Sequence, residues 1–76
     1  MTTIDTTECH ILFGKYIKDA RERKKLSQQE VADKLGVSQS YLSRLEKGER
    51  DIDLALALKV CGVLGYDLRD FINKNL

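Results

Sequence analysis

Apolar residues recur three or four apart along this chain, from Phe13 to Ile72, and that spacing together with its punctuation predicts five helices. Asp5 followed by Glu8 can form a capping box, so the first helix starts between residues 6 and 10. It runs to about Lys24 with Phe13, Ile17 and Ala20 inward and Tyr16 beside them. Arg21, Arg23, Lys24 and Lys25 then lie at the negative end of its dipole. Leu26 pins the connection, and Ser27 caps a second helix with Glu30 completing the box. Val31 and Leu35 form that helix's inward stripe, while Ala32 leaves room for a close crossing. Gly36 falls where the chain must reverse with positive φ. Val37 plugs the turn, Ser38 caps a third helix and Gly48 stops it. Asp53 caps a fourth over 54–64, Gly65 ends it, and Asp67 opens a short fifth through Leu68, Phe71 and Ile72. Gly62, inside the fourth, marks a local weakness or a place of close packing.

These elements make an all-α chain, a compact five-helix bundle with a helix-turn-helix. The absence of proline and the dominance of Leu, Ile, Ala, Lys, Glu and Arg agree with it. The length of 76 residues suits one domain, divided into a flexible N-terminal segment over 1–10 and the helical domain over 11–76. No apolar run approaches the ~18 residues needed to span a membrane. The opening MTTIDTTECH lacks the charged and apolar parts of a signal peptide, so the expected location is the cytoplasm.

The most informative stretch is QQEVADKLGVSQSYLSRLEK, residues 28–47. Two helices joined by a three-residue turn containing Gly form a helix-turn-helix, whose second helix enters the major groove of DNA. Leu42 and Leu45 mark that helix's inner side, with Tyr41 beside them. Gln39, Ser40, Ser43, Arg44 and Lys47 share the opposite side. Gln pairs bidentately with adenine and Arg with guanine, while Ser adapts to either. A polar face alone is more often just solvated; the Ala, Gly and two-Leu spacing with the Ser cap turns the reading toward DNA. The net charge of only +1 says little until it is divided along the chain. Residues 14–50 hold ten cations against six anions, which places the positive charge where phosphate contact needs it.

From Phe13 to Ile72, about four fifths of the chain, the pattern resembles the phage repressor and Cro type of helix-turn-helix domain. The stretches that carry the resemblance are FGKYIKDARERKKLSQQEVADKLGVSQSYLSRLEKGER and IDLALALKVCGVLGYDLRDFI. It implies a five-helix DNA-binding domain, commonly dimeric on palindromic operators. On this sequence it puts base reading at Gln39, Ser40 and Arg44, with Ser43 as a helper. It puts phosphate contacts at Gln28, which also braces the reading helix, and at Lys47 and Arg50. It also pairs Arg21 with Glu46, which answers a puzzle, because an unpaired Glu46 close to DNA would repel phosphate. Two departures stand out: Asp51 and Ile52 replace a common Asn-Pro, and Ala20 replaces a larger apolar residue.

The expected function is sequence-specific regulation of transcription by a homodimer on double-stranded DNA. Leu68, Phe71, Ile72 and Leu76 are the expected apolar contributors to the dimer surface, with some area from the fourth helix. The same Leu68, Phe71 and Ile72 could instead close the monomer core. An antitoxin that binds a partner protein and represses its own operon is the second reading. An enzyme is not expected, because the sequence holds no nucleophile–base set or phosphate loop, and His10 sits in the expected tail. No metal or other cofactor is expected either: Cys9 and His10 lack a second ligand pair, and Cys61 reads as a core residue.

Overall fold

The computed structural model describes residues 5–75, and its five helices follow the predicted punctuation closely. They are α1 (Thr6–Arg23), α2 (Gln28–Leu35), α3 (Gln39–Glu46), α4 (Leu54–Leu64) and α5 (Leu68–Asn75). Side-chain oxygens of Asp5, Ser27, Ser38 and Asp53 each accept a hydrogen bond from the backbone N–H three residues on. Those bonds satisfy donors that the first helical turn would otherwise leave open. The Ser27–Glu30 capping box is complete in both directions.

The first helix opens within the expected range, at Thr6, so residues 6–10 are its first turns and His10 is helical. The physical reason is the Asp5 cap, whose Oδ1 accepts from the Glu8 N–H at 2.8 Å. Residues 1–4 lie outside the described residues.

The helices enclose one core. Ile17, Val31, Ala32, Leu42, Leu45 and Val60 have no solvent exposure, and Phe13, Ala20, Leu35, Cys61, Leu64 and Phe71 are nearly as deep. Helix α3 packs on α1 and α2, while α4 packs on α1 and α2 and α5 on α1 and α4. Phe71 turns inward edge-on to Phe13, with ring centres 5.0 Å apart. Of the two places open to it, dimer surface and monomer core, it takes the core. Leu68 is half-buried against that core, and Ile72 is exposed. Leu76 lies outside the described residues. Ile52, which stands where the family pattern often has another residue, docks against the core. Burial pushes the Cys61 thiol up, so it stays a neutral packing group. Beside Ala20, where a larger residue is common, Tyr16 and Tyr66 wall a hollow of about 220 Å³.

Candidate nucleic-acid interface

The reading helix is set by one cap and one turn. Gly36 takes φ +74°, and the Val37 N–H reaches back to the Ala32 carbonyl, which reverses the chain tightly. Ser38 Oγ then accepts from the Tyr41 N–H and starts α3. Leu42 and Leu45 face the core with no exposed surface and Glu46 is also buried, which leaves Gln39, Ser40, Arg44 and Lys47 turned outward.

A second close contact seats the far end of α3. Gly14, in the middle of α1, lies so near this end that an added Cβ would strike the Leu45 carbonyl oxygen. It would also come within 2.7 Å of the Glu46 oxygen. Nothing larger than Gly fits there without moving one helix. Gly48, at φ +76°, closes the helix, and the Glu49 N–H bonds back to the Arg44 carbonyl at 3.0 Å.

The structure brings most of the predicted contacts together. Gln28, Gln39, Ser40, Ser43, Arg44 and Lys47 line a single polar hollow. Gln39, Ser40, Arg44 and Lys47 are exposed, and Ser43 and Gln28 are half-buried. Arg50 stands outside this group, over the Tyr41 ring, in a separate polar hollow with Glu49 and Asp51.

Glu46 would be an obstacle here, and its surroundings remove it. Arg21 Nε donates to Glu46 Oε2 at 2.7 Å, and Arg21 Nη2 donates to Oε1 at 3.1 Å. Gln28 Nε2 donates to the same Oε1 at 3.0 Å, and Arg21 Nη1 donates to the Leu26 carbonyl. Both side chains are largely buried, at 11% and 3% exposed. Hydrogen bonding to Glu46 pushes the Arg21 guanidinium further up, so it stays charged. Gln28 also holds its Oε1 toward Gln39 Nε2, a long contact of 3.5 Å. A polar chain thus runs from the Arg21–Glu46 pair through Gln28 to the first residue of α3. Ser27 takes the Glu30 N–H, and Glu46 takes one Gln28 Nε2 hydrogen. The second Nε2 hydrogen and the backbone N–H groups of Gln28 and Gln29 are the donors left at the start of α2.

Sequence reasoning missed three residues. Glu49 is folded into the reading hollow by the turn at Gly48; its place just past a helix-closing glycine was the signal. Lys59 Nζ donates to the Leu35 carbonyl at 2.8 Å, tying α4 to the end of α2. Gly14 carried a signal too, as an unexplained glycine inside a strong helical pattern. No group of His, Cys, Asp or Glu among the described residues could hold a metal ion. None of the described helices is long and apolar enough to cross a membrane.

Known proteins agree with this geometry. The helix-turn-helix family profile matches residues 17–71. The uncharacterized HTH-type transcriptional regulator YqaE of Bacillus subtilis is 33% identical over 63 residues, 83% of this chain and 53% of YqaE. The chain therefore spans about half the length of that relative. Among solved structures, the clp gene regulator ClgR of Corynebacterium glutamicum superposes with a TM-score of 0.81 at 29% identity, over 86% of this chain and 84% of ClgR. The restriction–modification controller protein C.AhdI of Aeromonas hydrophila gives a TM-score of 0.76 at 30% identity, over 83% of this chain and 96% of C.AhdI. With its capped helices, glycine turn and buried Arg21–Glu46 pair, this chain belongs to the helix-turn-helix family of the phage repressor and Cro type.

Proposed function

We propose that the chain is a sequence-specific DNA-binding transcription regulator, a repressor or concentration-sensing controller in the cytoplasm. It binds a palindromic operator as a homodimer through the major groove. One observation carries the reading: Gln39, Ser40, Ser43, Arg44 and Lys47 share one outward hollow with Gln28, on a helix whose inner side is wholly buried. Gln39 and Arg44 supply bidentate donors and acceptors for base edges, and Ser40 and Ser43 supply adaptable hydroxyls. Lys47, Arg50 and Gln28 contact phosphate and fix the register. The reading gives the protein no catalytic step.

The dimer surface moves outward from the expected set. With Phe71 in the core, Leu54, Leu58 and Ile72 are the large exposed apolar residues of α4 and α5, at 67%, 54% and 41%. Leu54, Leu68 and Ile72 rim an apolar hollow floored by Phe13, Ala57 and Phe71. This face belongs to helices that pack against α1 and α2, and α3 stays free for DNA. The same apolar strip also fits the antitoxin reading, in which a partner protein covers it. Sedimentation of the purified chain separates the two, since a self-associating chain is a dimer without any partner.

The site is tested on a duplex recovered by in vitro selection. Arg44→Ala should cost roughly 1–3 kcal/mol on that duplex and relax preference at one base pair. Lys47→Ala should weaken all duplexes alike and flatten the salt dependence. Uniform weakening by Arg44→Ala would remove it from base reading.

A further inference from the structure

Arg50 lies two residues beyond the turn at Gly48 and is flanked in sequence and in space by Glu49 and Asp51. Between two carboxylates, a mobile guanidinium would be drawn toward one or the other and lost to phosphate. The structure gives it a different resting place. Its central carbon sits 5.1 Å from the centre of the Tyr41 ring. Tyr41 follows Ser40 on the reading helix and is half-buried against the core, so its ring is a fixed surface. Among the described residues no ion pair joins Arg50 to either flanking acid. Glu49 lines the reading hollow, and Asp51 lies 3.6 Å from His10 on α1.

We infer that Tyr41 is a positioning residue for DNA binding, its ring face holding the Arg50 guanidinium for one phosphate beside the reading helix. The inference rests on the function proposed above and deepens it. A guanidinium attracted to a ring face keeps N–H donors at its edge, and these match two phosphate oxygens. Holding the long side chain in place before binding also reduces the conformational freedom lost on contact. Lysine would carry the same charge without the planar stacking group.

The test uses the full chain, the selected duplex and fluorescence anisotropy at several salt concentrations, after circular dichroism and urea unfolding confirm that each variant folds. Tyr41→Leu keeps an apolar side chain and removes the ring face. Its affinity should fall about 3- to 10-fold on matched and mismatched duplexes alike, the range expected for a cation–π contact. The salt slope should become shallower by up to about 0.9, one phosphate contact. Tyr41→Phe should bind like the parent chain, and Arg50→Lys like Tyr41→Leu. Combining Tyr41→Leu with Arg50→Ala should add little to Arg50→Ala alone. Full additivity in that double variant, or parent-like binding by Arg50→Lys, would overturn the role of the ring. If Arg50→Ala left the salt slope unchanged while Lys47→Ala flattened it, this inference would fall and the major-groove reading would stand. If the parent chain bound no duplex, both would fall.

Discussion

Glu46 lies beneath the surface proposed to accept phosphate, and three donors from Arg21 and Gln28 answer its charge. Burial makes this pair unlike an exposed one, because either partner left alone would keep an uncompensated charge in a poorly solvated place. Arg21→Ala should therefore destabilise the fold by about 3–5 kcal/mol, measured by urea unfolding, and Glu46→Gln by less because the amide oxygen still accepts. A loss under ~1 kcal/mol for Arg21→Ala would mean the pair acts as a solvent-screened surface contact. This pair was legible in the sequence through the family resemblance, since nothing local connects residues 21 and 46. The caps were legible from local chemistry alone, because a side chain and an N–H three residues on meet whatever the rest of the fold does. Tyr41 over Arg50 was not legible. Their contact depends on how the Gly48 turn folds the loop back, a path that spacing alone does not specify.

At the scale of elements, the helix ends were readable because glycine and cap residues mark them, and the starts of α2 to α4 fall on their predicted caps. Two features at this scale depended on neighbours and stayed hidden. Lys25 takes φ +57°, ending α1 in a conformation where a glycine would ordinarily announce itself. Gly14 and Gly62 both interrupt helices, yet only the structure tells them apart. Gly14 meets the carbonyls of Leu45 and Glu46, whereas a Cβ at Gly62 would meet nothing within 4 Å. Gly62 is thus the local weakness rather than the close contact. Gly62→Ala should stabilise the chain by about 0.5–1 kcal/mol through helix propensity. Gly14→Ala should instead destabilise it and tilt α3, lowering DNA affinity as well as the urea midpoint. Equal effects of the two substitutions would show that α1 and α3 do not meet as closely as Gly14 indicates.

For the whole molecule, the core and the free face of α3 follow from the hydrophobic pattern, but the division between core and interface does not. Phe71 and Ile72 are adjacent on α5, both strongly apolar, and one is buried while the other is 41% exposed. Helical period separates them, yet only the packing of α5 against α1 decides which turns inward. The proposed dimer therefore rests on Leu54, Leu58 and Ile72, and Leu58→Asp should leave the fold intact while converting the dimer to a monomer in sedimentation. Affinity for a two-half-site duplex should then fall by roughly 100-fold or more, with little change on a single half-site. A dimer that survives Leu58→Asp would place the interface elsewhere.

Whether α3 reads base sequence is decided by selecting bound duplexes from a random DNA pool with the purified chain. The expected outcome is an enriched palindrome whose half-sites lie about one helical turn, ~34 Å, apart, matching two reading helices related by a two-fold axis. Retention of duplexes with no shared motif, lost uniformly as salt rises, would contradict it and leave only phosphate attraction.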